Sequence, residues 1–172
     1  MTTAIQSGRI LHVGCGGVEL PDWFSKLTEV RLDIDPSMQP DIVASMVDIG
    51  EVGHYEALFC SHALEHLYPH EVPVALKEFY RVLEPGGSAV IFVPDLEDVR
   101  PTEDILMVSP AGPICGLDMY YGHRPQLIDR PHMAHHCGFV SATLKTALES
   151  AGFTATIKRC HNYNLMGVGQ KL

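Results

Sequence analysis

Residues 9–13 form an apolar, strand-like run that ends in Gly14-Cys15-Gly16-Gly17. Glycines at such a point let the backbone turn tightly and approach a ligand that a Cβ would hold off. Asp33 stands 17 residues after Gly16, at the end of the next strand-like run, residues 29–34. A carboxylate there can accept hydrogen bonds from both ribose hydroxyls of an adenine nucleoside lying on the first crevice of a parallel sheet. The two features together point to a nucleoside cofactor. The dinucleotide fingerprint would need glycine at position 19, where this chain has Glu19. That carboxylate would repel a pyrophosphate, which disfavours a nicotinamide-dependent reductase. No Gly-x-x-x-x-Gly-Lys-Ser/Thr run is present, which weighs against a P-loop nucleotide enzyme.

Histidine is the second chemical resource, with ten in the chain. His62 follows a buried strand-like run, residues 57–61, and is a candidate site residue. His66, four residues on, could share a helical face with it, and reads more simply as a structural hydrogen-bonding group. His132, His135, His136 and Cys137 form a dense cluster. Imidazole and thiolate suit zinc, but adjacent side chains do not easily converge on one ion. No second Cys/His pair stands at a familiar spacing, so no metal is expected. A general base or acceptor contact is the better reading of the cluster, and His136, His135 and His62 are the catalytic candidates. Tyr120-Tyr121-Gly122-His123 reads either as part of an acceptor pocket or as a surface turn.

These groups need elements to position them. The chain alternates short apolar runs with helical periods, the pattern of a parallel sheet covered by helices. Only about a dozen residues, Pro21 among them, separate the first two runs, so the first crossover helix should be short or degenerate. Residues 41–44 read as a brief third strand. Residues 71–83 give the clearest helix, with Val72, Leu76, Phe79 and Leu83 on one face, stopped by Pro85-Gly86-Gly87. Residues 88–93 follow as a buried strand. Residues 95–137 hold Pro101, Pro110, Pro113, Pro125 and Pro131 with little periodicity, and read as a long functional loop. Ser141 looks like an N-cap for a helix carrying Leu144, Ala147, Leu148 and Ala151 on one face and ending at Gly152. Residues 155–160 and 165–169, joined by His161-Asn162-Tyr163-Asn164, read as an antiparallel hairpin.

Across residues 9–169 the chain resembles the class I S-adenosylmethionine (SAM)-dependent methyltransferases. Four ordered blocks carry the resemblance. Leu11-His12-Val13-Gly14-Cys15-Gly16 resembles the family's glycine loop, and Leu32-Asp33-Ile34-Asp35-Pro36 its acidic strand end. Phe59-Cys60-Ser61-His62-Ala63-Leu64-Glu65-His66-Leu67 resembles the fourth-strand block, and Arg81-Val82-Leu83-Glu84-Pro85-Gly86-Gly87 the turn before strand five. The resemblance implies an α/β, Rossmann-like sheet of about seven strands, mostly parallel, with a C-terminal antiparallel hairpin and helices on both faces. It also implies SAM as cofactor. Gly14, Cys15 and Gly16 would line its methionine and ribose side, and Asp33 would hold the ribose. Ile34 would pack on the adenine, and Ser61 and His62 would lie beside the methionine. His12 stands where the family often has an acid, and would be one of the cofactor-binding residues. Ser45 stands where many members have an adenine-binding Asp; it can still bond the adenine amino group, with Met46 packing on the ring and Asp48 as an alternative.

Composition bounds the rest. The 172 residues suit one domain, with residues 95–137 as a substrate-side insertion. The net charge of −9 argues against nucleic acid or anionic membrane as partner. No apolar run is long enough to span a bilayer, and the first eight residues lack a signal-peptide layout. Five scattered cysteines without a Cys-x-x-Cys pair fit a reduced, cytoplasmic setting. The expected activity is methyl transfer from SAM to an O or N acceptor on a small molecule or glycan. With eight residues before the first strand, the family's N-terminal substrate cap is not expected. An uncapped pocket makes a homodimer a candidate, and a non-catalytic SAM-binding scaffold working with a partner is the rival reading.

Overall fold

In the computed structural model, which describes residues 8–172, the apolar runs become seven strands of one sheet. They are β1 (Arg9–Val13), β2 (Thr28–Asp33), β3 (Ile42–Val43), β4 (Tyr55–Ser61), β5 (Leu83–Pro94), and the closing pair β8 (Thr154–Cys160) and β9 (Asn164–Gln170). The sheet order is β3-β2-β1-β4-β5-β9-β8. Strands β1 to β5 pair in parallel, and β9 runs antiparallel to both β5 and β8. The order reverses between β1 and β4, so the carboxyl ends of β1, β2 and β4 open on one crevice, the place where open α/β sheets hold ligands. The N-terminal segment read as lacking a signal peptide falls on residues 1–7, outside the described residues.

Helices α1 (Val72–Val82) and α3 (Ser141–Ser150) cover one sheet face. Leu76 and Phe79 of α1 and Leu144 and Leu148 of α3 are fully buried there beside Leu11, Val13 and Leu58. Helix α3 packs close to the sheet because β9 presents glycine on that face. A Cβ on Gly167 would stand 3.0 Å from Leu148 Cδ1 and 3.2 Å from Leu144 Cδ2. The opposite face has a smaller core of Ile10, Ala57 and Phe59. Its cover is the one-turn 3-10 helix Asp22–Phe24, with Leu20 and Leu27, so the first crossover is as short as its spacing implied. Helix α3 begins one residue before expectation: Val140 is the cap position, and Thr143 Oγ1 accepts the Val140 N–H at 3.0 Å. Ser141 is the first helical residue.

The turn that was to stop α1 continues directly into β5. Gly86 and Gly87 exchange backbone hydrogen bonds with Lys171 at 2.9 Å, extending the β5–β9 pairing. The 161–164 turn closes β8 on β9 with Asn162 and Tyr163 both at positive φ, 58° and 54°, the backbone a tight hairpin turn requires. Residues 95–137 have structure of their own. Strands β6 (Ile105–Ser109) and β7 (Gly112–Cys115) form a separate hairpin, followed by α2 (Gly116–Tyr121). No helix among the described residues is long and apolar enough to cross a membrane.

Candidate functional site

The glycine loop leaves β1 with Gly14 at φ +63° and Gly16 at φ +45°, in the left-handed region that glycine alone enters freely. A Cβ on Gly14 would stand 2.5 Å from the Ala63 Cβ, so the loop and the end of β4 meet as closely as backbones can. Cys15 N–H donates to Leu32 O at 3.2 Å, tying the loop across the end of β2. Asp33 is then pinned from both sides. Its Oδ2 accepts the Gly16 N–H at 2.8 Å and its Oδ1 the Asp35 N–H at 2.9 Å. Each carboxylate oxygen has a second lone pair to offer a ligand.

Above this floor lies a cavity of about 730 Å³. Gly14, Cys15, Gly16, Asp33 and Ile34 line one side, and Ser45, Met46, Ser61 and His62 another. Asp48, the alternative to Ser45, does not line it. Neither does His12. Strand alternation sends Leu11 and Val13 to the main core and Ile10 and His12 to the opposite face. There His12 is buried, its ring centroid 5.2 Å from that of Phe59 and its Nδ1 2.7 Å from Glu29 Oε1. Burial depresses its pKa despite Glu29. His12 therefore supports the loop from beneath, outside the cavity.

A second cavity, about 470 Å³, opens beside the first. The β6–β7 hairpin supplies Met107 and Ile114, α2 supplies Met119, and the β8–β9 turn supplies Asn162 to Asn164. Of Tyr120-Tyr121-Gly122-His123, only His123 lines it; Tyr120 Oη instead donates to Val99 O at 2.7 Å. Asp118 secures this wall. It accepts the Cys115 N–H at 3.0 Å and the Arg124 Nε–H at 2.9 Å. Burial pushes its pKa up, but these bonds outweigh it and bring the pKa down to about 2.

His62, His66 and Met133 line both cavities. His62 sits at φ +51°, a backbone cost a non-glycine residue bears only where its surroundings impose it, and its N–H is fixed on Phe92 O at 2.9 Å. Its Nδ1 lies 3.3 Å from Glu65 Oε1, and Glu65 is only 1 % exposed. Burial works against a proton on His62, yet the neighbouring carboxylate wins and raises its pKa. Burial likewise pushes Glu65 up, and the histidines around it, His62 first, hold its pKa below the ordinary value. The 132–137 cluster divides. His136 lines the larger cavity, stacked on Tyr68 at 4.3 Å between centroids, and His135 lines the smaller. Backbone N–H groups of His136 and Cys137 both donate to Glu65 O, at 2.9 and 3.2 Å, which clamps this segment to the end of β4.

Glu65, Tyr68, Met133 and Ile114 escaped sequence reasoning. Glu65 had one legible signal, a carboxylate directly after the apolar pair Ala63-Leu64. The β6–β7 turn, Ser109-Pro110-Ala111-Gly112, had the residues of a turn but no alternating strands to flank it.

The larger cavity fits SAM on two counts. Backbone at Gly14 and Gly16 gives the close approach a nucleoside needs, and the buried Asp33 carboxylate, held by two N–H groups, suits a ribose diol. Comparison with known proteins agrees. A methyltransferase domain model matches residues 2–157. No curated protein matches the sequence. An O-methyltransferase family protein from Burkholderia thailandensis is similar in fold, with 13% identity and a TM-score of 0.66 over 96% of this chain; the chain spans about half, 51%, of that protein. SAM-dependent methyltransferases from Archaeoglobus fulgidus and Mesorhizobium loti share the fold at 16% and 14% identity, with TM-scores of 0.67 and 0.68. In both cases 96% of this chain is covered, and 87% and 91% of theirs. With the family matched from residue 2 to residue 157 over that same fold, the chain belongs to the class I SAM-dependent methyltransferases.

Proposed function

We propose that this enzyme transfers the SAM methyl group to an oxygen or nitrogen of a small-molecule or glycan acceptor seated in the smaller cavity. The observation that carries this reading is the wall of His62, His66 and Met133 shared by the two cavities. When bound, SAM supplies a methyl carbon already made electrophilic by its sulfonium. In this reading Asp33 holds the ribose hydroxyls, Gly14, Cys15 and Gly16 face the ribose and methionine, Ile34 and Met46 pack on the adenine with Ser45 at its amino group, and Ser61 lies by the methionine.

The chain's remaining task is to align the nucleophile and manage one proton. With Nδ1 turned to Glu65, His62 presents Nε2 to accept the proton of an acceptor hydroxyl. The strained backbone at His62 supports a functional role there, since such strain gathers at active sites. An amine acceptor arrives neutral and needs no such base. His136 borders the cofactor side and His135 the acceptor side, so each serves orientation in this scheme. Residues 95–137 act as the substrate-side insertion. The apolar Met107, Ile114 and Met119 favour an acceptor with an apolar body, and the net charge of −9 disfavours nucleic acid and anionic membrane. Five free cysteines support a cytoplasmic setting. Exposed Trp23 and Val43, at 64% and 58%, offer apolar surface for the homodimer, which sedimentation velocity would test.

The test is a screen of hydroxyl- and amine-bearing small molecules and glycans for SAM-dependent methylation, repeated with Ile114→Trp, which fills the smaller cavity. Turnover that collapses in the variant while S-adenosylhomocysteine (SAH) still binds supports the reading. Undiminished turnover in the variant refutes the acceptor cavity, and SAH binding without turnover across the panel returns the scaffold reading.

A further inference from the structure

The wall between the cavities brings together polar atoms of three side chains whose convergence the methyl-transfer reading does not explain. One ligand atom each of Glu65, His66 and His135 lies within 4.8 Å of the other two. Glu65 is buried, and neither of its carboxylate oxygens has a hydrogen-bond partner among the described residues. Its one ion-pair contact among the described residues is His62 Nδ1, 3.3 Å from Oε1, which leaves Oε2 with no partner. A buried carboxylate left in this state is costly unless a cation meets it. No Lys or Arg among the described residues pairs with Glu65.

The two imidazoles are already oriented. His66 Nδ1 faces Ala134 O at 3.1 Å, and His135 Nδ1 faces Met119 O at 3.0 Å. A carbonyl only accepts, so each Nδ1 carries a proton, and in its neutral form each ring presents the Nε2 lone pair. Neither Nε2 makes a protein hydrogen bond among the described residues. Imidazoles that ligate metals are held in this way, with the other ring N–H on a backbone carbonyl. The segments are clamped as well: Glu65 O accepts the N–H groups of His136 and Cys137, and the His135 N–H donates to Tyr121 O at 3.2 Å.

We propose that Glu65, His66 and His135 bind a first-row divalent transition ion of the zinc class, with open coordination positions toward the smaller cavity. Two imidazoles and one carboxylate are a donor set such ions take, and three protein ligands leave room for an outside oxygen. The sequence reading set metal aside because neighbours within residues 132–137 do not converge. The site draws only His135 from that cluster and finds its other ligands at Glu65 and His66, brought together by the fold. On the acceptor reading above, that outside oxygen belongs to the acceptor, which would make hydroxyl or carboxylate-bearing acceptors the favoured class; the metal site itself does not depend on that reading.

The test uses the full chain, stripped with a chelator and titrated with Co²⁺ followed by visible absorption, with Zn²⁺ competition. Glu65→Gln, His66→Gln and His135→Gln are run beside His54→Ala, an exposed histidine that serves as control. One equivalent of Co²⁺ should bind with ligand-field bands and be displaced by Zn²⁺. Each Gln variant that keeps the wild-type circular dichroism should bind at least about tenfold more weakly, since even the outer partners of metal ligands are worth that much. The His54→Ala variant should bind as wild type does. No binding by the wild type, or equal binding by the folded Gln variants, overturns the site. SAH calorimetry on the same metal-free protein reports separately on the methyl-transfer reading.

Discussion

Replacing Gly14 with alanine perturbs one atom at the place where cofactor and fold meet. Two costs arise. An alanine at φ +63° is held in the left-handed region, about 1–2 kcal/mol. Its Cβ also lies 2.5 Å from the Ala63 Cβ, so the loop or the end of β4 must shift, which for overpacking of a tight site costs about 1–3 kcal/mol. The sum, about 2–5 kcal/mol, lowers the melting temperature of a domain this size by roughly 4–15 °C. Relaxation of the loop also pulls Gly16 N–H from Asp33 Oδ2, so SAH affinity should fall at least about tenfold. The two costs separate in a cycle with Ala63→Gly, because removing the opposing methyl relieves the overlap and leaves the φ cost. Thermal melts and SAH calorimetry on the wild type, both single variants and the double variant measure this. The double variant should recover the steric part, about 1–3 kcal/mol after correction for Ala63→Gly alone. A Gly14→Ala protein as stable and as tightly binding as wild type, or no coupling in the cycle, would refute the reasoning.

Asp118 should give stability a steep acid limb. Its folded pKa lies below the unfolded value, so its contribution is complete above about pH 4 and is lost as pH falls toward 2, about 2 kcal/mol in all; Asp118→Asn should flatten melting temperature against pH in that window, and an unchanged slope would count against the bonds to Cys115 and Arg124. His62→Gln should lower kcat for a hydroxyl acceptor by about 10²–10⁴ and cost SAH less than about tenfold in affinity, with much smaller loss for an amine acceptor. Equal losses for both acceptor types would remove His62 from proton transfer.

What the sequence revealed follows from how local each signal is. The glycine loop, Asp33 and the strand ends they close are each set by a few neighbouring residues, and the doubly buried strands β1 and β4 read as apolar runs. Helix α1 declared itself through Val72, Leu76 and Phe79, all buried. Residues 95–137 concealed their hairpin because β6 buries no consistent face; Ile105 and Val108 are 59% and 75% exposed. Six-residue α2 is too short to show a period. The side on which His12 lies follows from strand alternation with Leu11 and Val13, and not from the family position that carries an acid. Glu65 was opaque for another reason: the histidine that gives it meaning, His135, is 70 residues away in the chain.

The central claim is that the larger cavity holds SAM through Asp33. The most direct measurement is calorimetry of SAH with the wild type and with Asp33→Ala. Two hydrogen bonds to a charged carboxylate are worth about 3–5 kcal/mol together, so the expected result is saturable one-to-one binding that weakens by about 10²–10³ or more in the variant. No binding to the wild type, or an Asp33→Ala protein within about threefold of it, would contradict the claim.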